Sequence, residues 1–99
     1  MVWFTYFLLC DKKTYYIGLT HNLTQRIFSH KSKQNIATKE FSYLELVYSE
    51  QYATRREAEK REQQLKRWAH AKKKALVEGN LKLLKRLSKT RSLSKDNLG

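Results

Sequence analysis

The stretch VWFTYFLLC-DKK-TYYIGL, Val2 to Leu19, decides the reading of the fold. Val2 to Leu9 is rich in aromatic and β-branched residues, the composition of a strand. Asp11-Lys12-Lys13 is a polar turn, and Thr14 to Leu19 resumes the first composition, so the two runs predict a hairpin. Gly18 near the end of the second run marks a bulge or a close approach by another backbone. Residues of one parity share a strand face, so Tyr6 and Tyr16 share one if the register permits.

Beyond the hairpin, Asn22 reads as a helix N-cap, with Gln25 completing a capping box, and the helix runs to about His30. Leu23, Arg26, Ile27 and His30 fall within roughly 100° of one another, so this helix turns an arginine and a histidine toward its packed side. Lys31 to Glu40 is a polar loop with a basic bias, and Phe41 to Tyr52 is a third strand, clearest at Leu44 to Tyr48. Thr54 with Glu57 forms a second capping box, opening a helix through about Trp68. Ala58, Glu62, Leu65 and Ala69 share one face of it, so Glu62 lies in the apolar stripe, where a carboxylate is costly unless paired or bound to metal. Ala69 to Glu78 continues as a third helix ending near Gly79. Leu81 to Leu87 adds a further turn or two, and Ser88 to Gly99 reads as a frayed basic tail. The order β-β-α-β-α-α predicts an α+β fold, a small three-stranded antiparallel sheet flanked by helices. Residues 1–79 carry the domain, and 80–99 form a basic C-terminal helix or tail.

A chain of 99 residues suits one domain with one modest core. Apolar residues at 40% are enough for a globular fold. The charge balance is more specific. Lys and Arg number 21 against 9 acidic residues, a net charge of +12 that a polyanionic partner relieves. The aromatic-rich first half and the lack of a long apolar run favour nucleic acid over a membrane. The single cysteine, Cys10, ends an apolar run and reads as a small buried hydrophobe in a reducing compartment. Val2 to Cys10 is too short to span a bilayer, and it lacks the basic start and cleavage site of a signal peptide. A cytoplasmic monomer is expected.

Three elements thus aim polar groups at a shared interior: Tyr6 and Tyr16 from the hairpin, Arg26 and His30 from the first helix, Glu62 from the second. Phosphodiester cleavage uses such parts. A carboxylate anchors a divalent cation, a guanidinium neutralises phosphoryl charge, and a tyrosine or histidine positions or deprotonates water. Each residue also has a plain structural reading. Strand tyrosines pack, helix arginines stay solvated, His30 complements a helix dipole, and Glu62 pairs with a lysine or arginine. On composition and periodicity alone, a basic nucleic-acid binder stands and catalysis stays open.

The pattern Phe4-Thr5-Tyr6, then Tyr16-Ile17-Gly18, resembles the paired motif of the GIY-YIG nuclease superfamily. Leu23 to His30, Leu46-Val47-Tyr48, Glu57 to Trp68 and Ala71 to Gly79 resemble the following helix, third strand, glutamate-bearing segment and closing helix of its short stand-alone bacterial members. The resemblance implies roles. Tyr6 and Tyr16 would hold or activate the attacking water, and Arg26 would stabilise the phosphate. Glu62 would bind a single divalent ion, usually magnesium or manganese. His30 would orient water or act as general base, and Gly18 would keep the motif strand open to its neighbours. The first motif lacks its glycine and isoleucine, and the loop Lys31 to Glu40 lacks the usual glycines and proline.

Lys12, Lys13, Lys31, Lys33, Lys39, Lys66, Arg67, Lys72 and Lys73 are the candidate phosphate contacts, which position a nucleic acid without reading its sequence. Trp3 and Trp68 could stack on bases, though packing is the commoner use. The leading expectation is a metal-dependent DNA endonuclease, structure-selective and sequence-poor, with a role in DNA repair or recombination. The alternative is a non-catalytic module that binds DNA or RNA. A third, weaker reading is an adaptor whose tail from Asn80 docks on a protein partner.

Overall fold

Strand β1 (Trp3–Cys10) and strand β2 (Thr14–Thr20) form the expected hairpin. The computed structural model describes residues 1–32, 38 and 40–93, with side chains through residue 88. The turn places Asp11 and Lys12 at φ 50° and 60°, and the Lys13 amide donates to the Cys10 carbonyl at 3.1 Å. Positive φ at both central positions suits the twist of a hairpin, and aspartate tolerates that region better than most residues. Asp11 is also tied down. Its amide donates to the Tyr43 carbonyl at 2.7 Å, and its carboxylate accepts from the Ser42 and Tyr43 amides at 2.9 and 2.8 Å.

Helix α1 (Leu23–Lys31) follows, with the Asn22 side chain accepting from the Gln25 amide at 3.1 Å. Strand β3 (Leu44–Tyr52) pairs antiparallel with β1, giving the order β2-β1-β3. It starts later than Phe41, because residues 42 and 43 are spent on the bonds to Asp11. Helix α2 (Arg55–Lys66) opens on the complete Thr54–Glu57 capping box and stops before Trp68.

Both faces of the central strand are covered, which explains why β1 reads as a continuous apolar run. Tyr6, Leu8 and Cys10 form one core cluster with Leu44, against which Leu23 and Ile27 of α1 pack. On the other face the Thr5 hydroxyl donates to the Ala58 carbonyl of α2 at 2.8 Å. Phe7, Leu8 and Leu65 are fully buried, each contributing about 1.5–3 kcal/mol. Cys10 is buried as expected, and burial pushes its thiol up.

The backbone divides into two units, Met1–Arg67 and Trp68–Gly99. The second contains helices α3 (His70–Val77) and α4 (Leu81–Leu93). Ala69, expected in the stripe of the preceding helix, is instead the N-cap of α3. Gly79 at φ 71° stops α3, with its amide donating to Leu76 and that of Asn80 to Ala75. Asn80 then caps α4 through the Leu83 amide at 3.1 Å. With that cap and a run of leucine, lysine and arginine, α4 continues well past Leu87, so the expected fraying from Ser88 is corrected as far as Leu93. No described helix is long and apolar enough to cross a membrane.

Candidate functional site

The register sets Tyr6 opposite Gly18 and Leu8 opposite Tyr16, so Tyr6 and Tyr16 are diagonal neighbours on the α1 face. Their ring centroids lie 6.4 Å apart. His30, in the last turn of α1, closes the group, with its ring 6.0 Å from Tyr6 and 5.1 Å from Tyr16. The Tyr6 hydroxyl is 3.0 Å from His30 Nε2, and His30 Nδ1 is 2.7 Å from the Thr38 hydroxyl. Tyr6, His30 and Thr38 are essentially closed to solvent, at 1%, 0% and 0% exposure.

Gly18 is neither at a bulge nor against a backbone, as its type had suggested. The β1–β2 register is continuous, and a Cβ at Gly18 would lie 2.6 Å from Tyr6 Oη and 2.8 Å from its Cζ. The glycine makes room for the phenol. Gly18→Ala is therefore expected to push Tyr6 off His30 and cost about 1–3 kcal/mol, as overpacking does. Thermal unfolding checks this: an unchanged midpoint would mean the phenol shifts at no cost.

The surroundings tune both groups. Burial chiefly pushes the Tyr6 phenol up, Tyr16 and Glu62 add to this, and Arg26 opposes it. Burial and then Arg26 hold the His30 imidazole below its usual range, which favours the neutral ring.

Arg26 was expected to face inward; it is exposed. A guanidinium without a buried partner keeps its hydration. It lines a groove of about 400 Å³ with Thr20, His21, Asn22, Gln25, Phe28 and Ser29. Glu62 is partly buried, its side chain 14% exposed, and the Lys66 ammonium lies 3.2 Å from its carboxylate. Among the described residues no three His, Cys, Asp or Glu side chains gather as a metal site. A single carboxylate still fits a magnesium-type ion, which takes one or two carboxylates plus substrate phosphate and water.

Of the candidate phosphate contacts, Lys12, Lys13, Lys31, Lys66 and Arg67 are exposed, while Lys73 is half-buried. Lys66 is the partner of Glu62. Lys72 is a correction: it is 8% exposed, with its ammonium 4.2 Å from the centre of the Trp68 ring, which satisfies the charge away from solvent. Lys33 and Lys39 lie outside the described residues. Trp3 is half-buried beside His21 and under the Arg55 guanidinium, so it packs at the rim.

Sequence reasoning missed three features. Thr38 lies in a loop with no periodicity to mark it as buried. Phe28 is 65% exposed at the Arg26 groove. Tyr43 is 47% exposed, lies under the Lys12 ammonium, and shares a second groove with Lys31.

A family model described as the GIY-YIG catalytic domain matches residues 2–75. The chain is 37% identical over 82 residues to a UPF0213 protein of Desulfotalea psychrophila, covering 81% of this chain and 74% of that one. It is 35% identical over 74 residues to a UPF0213 protein of Bacillus pumilus, covering 74% and 76%. The solution NMR structure of a UPF0213 protein from Bacillus halodurans matches with a TM-score of 0.52 at 28% identity, over 79% of this chain and 84% of that one.

Proposed function

The chain belongs to the GIY-YIG catalytic domain family, a family of nucleases, and from that membership we propose a divalent-metal-dependent endonuclease acting on DNA. The observation that carries this reading is the closed Tyr6–His30–Tyr16 group, whose phenol feels the charges of Arg26 and Glu62. Arg26, exposed on its groove, meets the scissile phosphate and neutralises the charge that builds on it. Tyr6 and Tyr16 hold the attacking water and the phosphate in register, with His30 fixing Tyr6. Glu62 holds the metal, magnesium or manganese, which when bound polarises the phosphoryl oxygens and steadies the leaving group. Lys66, on the same carboxylate, would have to give way to a bound ion.

The exposed Lys12, Lys13, Lys31 and Arg67 supply sequence-poor phosphate binding. Exposed Phe28 and Tyr43 offer faces on which unpaired bases stack, which supports a structure-selective substrate and a role in repair or recombination. We place the protein in the cytoplasm, as a monomer, with the segment from Asn80 available to a protein partner.

The test is cleavage of labelled single-stranded, duplex, flap and junction DNA, with an RNA control, in magnesium, manganese or chelator. Metal-dependent product is expected. The Glu62–Lys66 pair favours a second reading, a binding module whose carboxylate is already neutralised. Salt-sensitive binding with no product under any metal would select it. In either case DNA affinity is expected to fall about a hundredfold between about 50 and 200 mM salt, the slope of roughly four phosphate contacts. A nearly flat salt profile, measured by fluorescence anisotropy, would contradict phosphate binding by these lysines.

A further inference from the structure

Asp11 ties the hairpin turn to the segment that leads into β3. Its carboxylate oxygen Oδ1 accepts from the Ser42 and Tyr43 amides, and its own amide donates to the Tyr43 carbonyl. Both polar groups of the Tyr43 backbone are thereby fixed to the turn, yet the residue is left 47% exposed. Lys12, next in the turn, holds its ammonium 5.6 Å from the centre of the Tyr43 ring. It does so at φ 60°, a region that strains a lysine and that glycine enters freely. A groove of about 270 Å³ runs beside the ring, lined by Lys31, Ser42, Tyr43 and Leu44.

An exposed ring on a fixed backbone, flanked by two exposed lysines, matches one feature of a nucleic acid. The exposure of Tyr43 with Lys12 in place leaves ring surface for a second planar group. A base supplies the plane, and the phosphates on either side of it supply anions for Lys12 and Lys31. The base must be unpaired, because a paired base is stacked on its neighbours and freeing it costs energy. A backbone already fixed by the turn has less freedom to lose on binding. The groove adjoins the site described above. Leu44, its most buried wall, packs with Tyr6, Leu8 and Cys10, and Lys31 directly follows His30. Arg26 and Lys31 are about 7.5 Å apart along the α1 axis, roughly two steps of a DNA strand.

Resting on the nuclease reading, we propose that Tyr43, Lys12 and Lys31 form a subsite for an unpaired nucleotide a few steps from the scissile phosphate. Tyr43 stacks on the base, and the two lysines hold the flanking phosphates. The substrate is then DNA with a single-stranded segment beside the cut, a flap or an overhang, while a fully paired duplex leaves the subsite empty. The strain at Lys12 has a use in this arrangement. Glycine would hold the turn at less cost, but it carries no ammonium.

The test is fluorescence anisotropy in chelator with labelled oligothymidine, a fully paired duplex and a flap. Tyr43→Ala is expected to weaken oligothymidine and flap binding about tenfold, the usual loss of one stacked base, and duplex binding by less than about twofold. Tyr43→Phe keeps the ring and is expected to match wild type. Lys12→Gly, which suits the turn, is expected to unfold no earlier than wild type and to lower the salt slope on oligothymidine by about 0.7. A Tyr43→Ala protein that loses nothing, or loses as much on duplex as on single strand, would overturn the proposal. So would an unchanged salt slope in Lys12→Gly, which also decides the matter if Tyr43→Ala does not fold. Cleavage of the flap in magnesium separates this proposal from the reading beneath it. Tyr43→Ala is expected to raise KM about tenfold at unchanged kcat, the mark of lost uniform binding. Binding that depends on Tyr43 without product from wild type would strike the nuclease reading and leave the subsite. Product formed with wild-type KM by Tyr43→Ala would strike the subsite and leave the nuclease.

Discussion

Arg26→Ala is expected to cut cleavage by about 10²–10³-fold, the usual effect of removing one donor from a developing oxyanion, while the fold persists. The exposure of Arg26 makes this a clean test. Truncating an exposed side chain opens no buried cavity, so the unfolding midpoint should move by less than about 0.5 kcal/mol in equivalent stability. Glu62→Ala is expected to lose activity at least as far, because among the described residues Glu62 is the carboxylate whose charge reaches Tyr6. The structural cost is again small. The Glu62–Lys66 contact is an i,i+4 helix pair with a lysine 55% exposed, and such pairs contribute about 0.3–0.5 kcal/mol. Lost cleavage with an unchanged midpoint would place both residues in the chemistry. Normal turnover by Glu62→Ala would remove the metal role assigned to it. If Arg26→Ala binds DNA weakly yet turns over at the wild-type kcat, the guanidinium only recruits substrate.

The legible parts of this molecule were those written in local pattern. The hairpin followed from two aromatic, β-branched runs around Asp11-Lys12-Lys13, and the second helix from the Thr54–Glu57 box. Tyr6 and Tyr16 share a face because strand parity and a short turn leave little choice of register. Contacts between distant segments left no such mark. Thr38 is buried with its hydroxyl against His30 Nδ1, and nothing in a polar loop announces that. The bonds from Asp11 to residues 42 and 43 set where β3 begins, at a sequence separation no periodicity spans. Helical angle placed Arg26 beside Leu23 and Ile27, yet angle alone cannot say that a long charged side chain bends back to water. Lys72 errs the other way, since its neighbour Trp68 supplies an aromatic face that offsets its burial.

Glu50→Ala is expected to destabilise the first unit more than any other single change named here, by about 2–4 kcal/mol. The Glu50 carboxylate accepts from four donors: the Tyr48 and Tyr52 hydroxyls, each at 2.6 Å, and Arg61 Nε and Nη2 at 2.8 and 3.0 Å. Glu50 sits opposite Thr5 in the β1–β3 register, on the face where α2 packs, so the Arg61 fork ties that helix to the sheet. Removing one partner of a buried pair costs about 3–5 kcal/mol, and the residual exposure of Arg61 and Glu50, 23% and 16%, lowers that range here. A domain with roughly 5–15 kcal/mol in total would lose a large fraction of its stability. The pair also sets an acid limit. Burial alone would raise the Glu50 pKa, but the bonds from Arg61, Tyr48 and Tyr52 outweigh it and hold the carboxyl below its usual range. A depressed folded pKa means the unfolded chain binds the proton more readily, so this stability is present above the unfolded pKa, near about 4.5, and is lost as pH falls through the folded value. Urea unfolding of wild type and Glu50→Gln should therefore give midpoints that are far apart near neutral pH and converge as pH drops below about 4. A gap that stays constant from neutral pH into acid would mean the ionised carboxylate is not what holds α2 to the sheet.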